Sequence, residues 1–367
     1  MKTLGRVKSL NSKSTSPEYV HQEVREASDT YTDAVFAMLA LVNETRWNPE
    51  SREFHGDVRY EIGRRMTTSS SNRVSPSVDV TPDCVIQHAA HSGLVAETKL
   101  GLPKDTRAWD EDIIQMQKYD DHLVGWWTTD EDLASHDIVA LVPLSRAVKF
   151  ADRLDAGVKA GDWQFDRPIA VIGFYKQSGV KDFMGLKKEK GELSKRDLNE
   201  RLRESRQISL SLLIVEYHDR KFVDHPPPLP YLLQIIWDDL FTRYAAEIPT
   251  DDSTDILPLN VSVEKTTHDL QEYFGFKSSG PRSPEIPRAS WVRKAMDVLV
   301  DSKIAKKTGE SSYSVRYKRG RGDTLKKFGK LCFQLEQKKR KTSPDQAQLH
   351  LGLKSSDVED PETGDEK

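Results

Sequence analysis

Cysteine is scarce: the 367-residue chain has two, Cys84 and Cys332, far apart. Two distant thiols neither staple a small extracellular fold nor fill a structural zinc quartet. Long apolar runs are absent as well, so no transmembrane helix is expected. The basic start, MKTLGRVKSLNSKSTSPEY, lacks the apolar core of a secretory signal. An excess of one charge is missing too, since the formal net charge is −3 although 31% of residues are charged. A surface that coats nucleic acid along its whole length would be basic, so any site for a polyanion must be local. No Gly-x-x-x-x-Gly-Lys-Ser/Thr loop is present, and a motor would have to be a separate chain. Together these absences predict a cytoplasmic protein without a membrane partner.

What the chain does have is 37% hydrophobic residues and enough length for roughly two or three domains. Residues 1–16 read as a flexible polar arm. Ser16 and Pro17 read as the cap and first residue of a helix. Val20, Val24, Ala27, Tyr31, Ala34, Met38 and Leu41 give that helix one apolar face, ending near Glu44. Strand-like and helix-like segments then alternate, which implies an α/β layer structure with a mixed sheet. VRYEIGRRM, VDVTPDCVIQH, GLVAETKL, HDIVALVP, RPIAVIGFY and ISLSLLIVEYH read as strands. DTRAWDEDIIQMQKYDDHLV, capped at Asp105, RAVKFADRL and HPPPLPYLLQIIWDDLFTRYA read as helices. The charged stretch KQSGVKDFMGLKKEKGELSKRDLNERLRES reads as loop plus helix.

Residues 17–247 are therefore expected to form one domain and residues 248–258 a linker. Residues 259–320 follow the order helix, helix, two-stranded hairpin, which is that of a small winged helix-turn-helix. Residues 321–342 read as a basic amphipathic helix, and residues 343–367 as a disordered acidic tail.

One stretch, Leu94 to Pro103 (LVAETKLGLP), carries chemistry. Glu97 and Lys99 are two apart on a strand and share a face. With a turn near residues 90–91, Asp83 on the preceding strand falls opposite them. Facing carboxylates are costly unless a cation neutralises them. Mg²⁺ is bound by one or two carboxylates plus waters and substrate phosphate. Gln115 and Tyr119, four apart, share one face of the following helix. Cys84, His88 and His91 lie near, but strand alternation turns Cys84 away from Asp83 and no fourth ligand is close.

Pro82-Asp83, a hairpin-length gap and Glu97-Thr98-Lys99 resemble the signature of the PD-(D/E)XK nucleases. Gln115-Met116-Gln117-Lys118-Tyr119 resembles the Gln-x-x-x-Tyr pattern of their RecB-type branch. The resemblance covers roughly residues 17–175. It implies a restriction-endonuclease-like mixed sheet flanked by helices and Mg²⁺-dependent hydrolysis of DNA, with Mn²⁺ as a substitute. It implies that Asp83 and Glu97 bind the metal, Lys99 supports the nucleophilic water and Gln115 helps to position it. Tyr119 is an accessory candidate. So are Glu23 and Glu44, because many members add an acid from the first helix; His55 matches an upstream histidine by position alone.

In the C-terminal part, Arg293 and Lys294 lie off the apolar helix face, and Lys306, Lys307, Arg316, Lys318 and Arg319 decorate the wing. DNA is the expected partner there. Cleavage of both strands would suit a homodimer. The competing class is a non-catalytic winged-helix DNA-binding protein with a silent nuclease-like domain.

Overall fold

The structure is a computed structural model. It describes residues 17–342 apart from residues 49, 52, 55–56, 69–77, 100–108, 128–134, 180–181, 249–255, 276–284 and 319–322. The expected Asp105 cap, His55, Arg319 and the terminal arm and tail lie outside the described residues. Two compact units are present. The larger comprises Asp29–Pro226 and Glu264–Trp291; the smaller comprises Met1–Ser28, Pro227–Val263 and Val292–Lys367. Neither unit is one continuous run of chain.

The first helix, α1 (Pro17–Arg46), starts at the expected proline. Its face of Tyr31, Ala34, Val35, Met38, Leu41 and Val42 is buried in the larger unit. A short ribbon of β1 (Trp47–Asn48) and β2 (Glu53–Phe54) follows. VRYEIGRRM, expected as one strand, is split into β3 (Arg59–Ile62) and β4 (Met66–Thr68). The break falls at Gly63, whose φ of 66° is open to glycine at little cost. Next come β5 (Asp79–Val80), β6 (Cys84–Ala89), β7 (Ser92–Thr98), α2 (Asp110–Gln117), β8 (Leu123–Val124), β9 (Ser135–Pro143), α3 (Leu144–Ala160) and β10 (Ile169–Gln177). The unit continues with β11 (Phe183–Gly191), α4 (Arg196–Arg203), β12 (Arg206–Ser209) and α5 (Leu210–Glu216).

A seven-stranded mixed sheet organises these elements in the order β12-β11-β10-β9-β7-β6-β3. Its centre is parallel: β7 pairs with β9 and β9 with β10. Each parallel step needs a crossover, and α2 and α3 are the helices in those two connections. The flanks are antiparallel, including the β6–β7 hairpin, in which Cys84 faces Ala96 and Ile86 faces Leu94. β7 lies within the sheet and is buried on both faces, which explains its unbroken apolar run Gly93–Ala96. Val85, Val95, Ile138 and Ala140 from the strands pack with Trp109, Ile113, Met116, Trp126 and Phe150 in one core cluster. Burial of Ile113 and Met116 holds α2 against the sheet.

In the smaller unit, α6 (Leu229–Gln234), a π-helical turn (Ile235–Leu240) and α7 (Phe241–Ala246) run on from one another. β13 (Leu257–Ser262) precedes α8 (Val263–Tyr273), most of which belongs to the larger unit. Then come α9 (Ala289–Asp301), β14 (Ala305–Lys307), β15 (Ser312–Tyr317) and α10 (Thr324–Thr342). The expected hairpin is the β14–β15 pair, extended to three antiparallel strands in the order β13-β15-β14. Trp237 forms the aromatic centre, with ring centroids 5.1 Å from Tyr317 and 5.6 Å from Phe328.

Further expectations fail on element type or extent: VDVTPDCVIQH is broken into β5 and β6, and the helix expected over DTRAWDEDIIQMQKYDDHLV ends at Gln117, with Leu123–Val124 forming β8. ISLSLLIVEYH is a strand only through Ser209; from Leu210 it is helical α5. The charged stretch expected as loop plus helix begins on the last two residues of β10 and contains β11, a nine-residue strand. The linker of residues 248–258 runs into a strand, because β13 begins at Leu257. Among the described residues, no helix is long and apolar enough to cross a membrane.

Candidate functional site

Pro82 and Asp83 sit at the entrance to β6. The backbone there is pinned by Gly63, whose N–H donates to the Asp83 carbonyl at 2.9 Å. The Asp83 side chain is buried and its Oδ2 accepts the Thr98 N–H at 2.6 Å. That bond ties the start of β6 to the end of β7. Lys99 continues the β7 ladder, donating its N–H to the Leu141 carbonyl at 2.9 Å. Glu97 and Lys99 share a face and are both buried. Burying a carboxylate and an ammonium is costly unless each is paired and hydrogen-bonded.

The α2 crossover supplies the partners. Lys99 Nζ stands 3.3 Å from Glu97 Oε1 and 3.3 Å from Asp112 Oδ1. It also donates to Gln115 Oε1 at 3.0 Å. Gln115 Nε2 donates to Glu97 Oε1 at 2.6 Å, and the Tyr119 hydroxyl donates to Glu97 Oε2 at 2.8 Å. Both oxygens of Glu97 are thereby occupied. Asp112 and Gln115, three apart, share one face of α2, and Tyr119 follows in the turn after the helix, its N–H donating to the Met116 carbonyl at 2.9 Å.

One further residue enters from the segment after α5. His225 Nε2 lies 3.0 Å from Asp83 Oδ1 and 3.2 Å from Oδ2. Ligand atoms of Asp83, Glu97 and His225 all lie within 4.8 Å of one another. Two carboxylate oxygens and an imidazole nitrogen so close together fit a divalent cation.

The electrostatics follow from crowding. Burial, then the neighbouring Asp83 carboxylate, pushes Glu97 up to about 7, against the pull of Lys99, the Tyr119 hydroxyl and His225. The Asp83 carboxylate raises His225 to about 9 despite burial. Burial and the facing Glu97 hold Tyr119 firmly protonated.

The expected residues thus divide. Asp83, Glu97, Lys99, Gln115 and Tyr119 converge. Glu44 is buried elsewhere: its Oε2 accepts from Arg201 Nε and Arg206 Nε, each at 3.2 Å, a structural pairing. Glu23 is exposed on the part of α1 that belongs to the smaller unit. Cys84 is wholly buried with its thiol pushed up by burial, and is absent from the metal-capable group. Asp112 and His225 were missed. The helical spacing from Asp112 to Gln115 was a usable signal; His225, beyond α5 in VDHPPPLP, had none.

In the smaller unit, Arg293 and Lys294 are exposed on α9, as are Lys306 and Lys307 on β14, Arg316 on β15 and Lys318 just beyond it. Lys306 pairs with Ser314, two residues from Arg316, so Lys306 and Arg316 share the outer face of the sheet. Tyr313, Val315 and Tyr317 fill the buried face.

No protein-family model, curated protein or solved structure matches the chain.

Proposed function

We propose that the protein is a divalent-metal-dependent deoxyribonuclease. The observation that carries this reading is the convergence of Asp83, Glu97 and Lys99 at the ends of β6 and β7, closed over by Gln115 of the following helix. The element order supports it. Among the elements that build or cross the seven-stranded sheet, α1, β3, β6, β7, α2 and β9 follow in that order with β7 parallel to β9, which suits a mixed sheet flanked by helices of the kind the PD-(D/E)XK resemblance implies.

Asp83 and Glu97 would hold the cation. Bound there, a divalent cation supplies positive charge to a scissile phosphate and favours ionisation of water. Lys99, anchored by Glu97, Asp112 and Gln115, can orient an attacking water and stabilise the charge that develops on it. Gln115 links Lys99 to Glu97, so it fixes the ammonium and carboxylate relative to each other. Tyr119 donates to the far oxygen of Glu97 and holds that carboxylate in one rotamer.

The smaller unit supplies the DNA contact in this reading. Its exposed basic residues Arg293, Lys294, Lys306, Lys307, Arg316 and Lys318 would meet phosphates; the chain order β13, α8, α9, β14, β15 resembles that of a winged helix, although most of α8 belongs to the larger unit.

The test is incubation of the purified protein with plasmid, linear duplex, single-stranded DNA and RNA, with Mg²⁺, with Mn²⁺ and with EDTA. Cleavage should require a metal. Asp83→Ala and Lys99→Ala should each lose at least about a hundredfold in rate while retaining DNA binding. Equal cleavage by wild type and both variants defeats the reading; binding without any cutting supports the non-catalytic class.

A further inference from the structure

We propose that His225 is a third, nitrogen ligand of the cation held by Asp83 and Glu97, and that it makes the site prefer a first-row transition ion, with Mn²⁺ as the probe, over Mg²⁺. The proposal rests on the nuclease reading for the purpose of the site, but not for its existence.

The argument begins with the unequal surroundings of the two acids. Glu97 is enclosed: Lys99, Gln115 and Tyr119 donate to its two oxygens from the β7 and α2 side. Among the described residues, the Asp83 carboxylate is contacted by the Thr98 N–H and by the imidazole of His225. His225 is the solvent-facing member of the three. Its Nε2 lies 3.0 Å and 3.2 Å from the two Asp83 oxygens and within 4.8 Å of the Glu97 ligand atom. Two ligands of one ion, each at about 2.0–2.2 Å, stand at most ~4.4 Å apart. Small side-chain rotations would thus bring all three onto one centre.

His225 is also reachable from solvent. Its side chain is 42% exposed while that of Asp83 is 2% exposed, so an ion can reach the nitrogen from solvent. The backbone that carries it is held on both sides. Asp224 is engaged by Arg288, and Pro226, Pro227 and Pro228 restrict the chain that follows.

Donor chemistry then sets the preference. Mg²⁺ favours oxygen ligands and retains its waters. An imidazole nitrogen favours first-row transition ions, and Mn²⁺ combines that with tolerance of carboxylates. Two acids alone would be an oxygen site; the histidine changes its character.

The test uses the full-length protein, stripped with EDTA and free of DNA. Mn²⁺ and Mg²⁺ binding are measured by calorimetry, and the Mn²⁺ complex by electron spin-echo modulation, which detects nitrogen bonded to the ion. Wild type should bind Mn²⁺ at least about tenfold more tightly than Mg²⁺ and show ¹⁴N modulation. His225→Ala should lose about tenfold or more in Mn²⁺ affinity, with Mg²⁺ affinity changed by less than about threefold. Absence of ¹⁴N modulation in wild type overturns the proposal, as does unchanged Mn²⁺ affinity in a folded His225→Ala. Should that variant fail to fold, the wild-type spectrum decides alone. Cleavage by wild type is scored separately. Nitrogen-ligated Mn²⁺ without cleavage leaves this site standing and removes the nuclease reading; cleavage without nitrogen coupling does the reverse.

Discussion

At the scale of the residue, the site is a short chain of side chains whose ends differ in legibility. Asp83, Glu97 and Lys99 were readable because strand alternation and hairpin pairing alone bring them to one face. Gln115 and Tyr119 were readable from their spacing on a helix. His225 was not, because it comes from a loop separated from Asp83 by 142 positions, and loops carry no period that says where they return. A buried histidine braces the turn that follows α2. His136 Nε2–H donates to the Tyr119 carbonyl at 2.7 Å. Burial, reinforced by Arg167 and His122, lowers its pKa to about 3, although the Tyr119 carbonyl opposes the shift. In the folded chain His136 is thus neutral, whereas in the unfolded chain it takes a proton near its ordinary value of about 6.5. The unfolded state binds more protons between those values, so stability is complete above about pH 6.5 and is lost as pH falls toward 3. His136→Asn should be less stable than wild type at pH 7, yet lose less stability between pH 6.5 and 4.5. Urea unfolding across that range checks it; parallel pH profiles would show that His136 does not carry the dependence.

At the scale of the element, sequence pattern was most informative where one face alone decides. The buried stripe of α1, the hairpin of β6 and β7 and the short buried strand β9 all follow from simple periods. The misreadings have physical causes. β11 looked like charged loop because lysines occupy it, yet Lys188 is buried and donates to Asn199 and Glu192, giving a charge a place inside a strand edge. In the ISLSLLIVEYH segment, β-branched and apolar residues suggested a strand. The chain instead turns helical at Leu210 and leaves Leu212, Ile214 and Val215 exposed, against the usual pattern. The strand that carries Glu97 also depends on one glycine. A Cβ at Gly93 would lie 2.5 Å from the Trp126 ring and 2.7 Å from the Ile86 carbonyl, both too close to accommodate without movement. Gly93→Ala should therefore destabilise the protein by roughly 1–3 kcal/mol, the usual range for overpacking. A thermal midpoint equal to wild type would mean that Trp126 moves aside freely. A paired Gly93→Ala, Trp126→Leu variant, which makes room for the added methyl, should recover part of the loss.

At the scale of the whole molecule, composition was informative about character and weak on boundaries. Near-neutral net charge directed attention to local patches, but linker composition did not reveal which segments pack together. The smaller unit gathers residues 1–28 and 227–263 with residues 292–367, and α8 clusters mostly with the larger unit. Polar stretches mark where a chain is exposed; they do not say which core the next apolar face will join. The separation of charge still has a consequence for the proposed function. If the basic residues of the smaller unit are the phosphate contacts, they should govern affinity without touching the cation site. Replacing Arg293, Lys294 and Lys306 with Ala removes three charges, each worth about 0.9 in the slope of log affinity against log salt on duplex DNA. The slope should fall by up to about 2.7 in anisotropy titrations. The thermal stabilisation given by Mn²⁺ should stay at its wild-type value, because Asp83, Glu97 and His225 all belong to the larger unit. An unchanged salt slope would place the DNA contact elsewhere. A lost Mn²⁺ response would mean that the substitutions had damaged the fold rather than the binding surface.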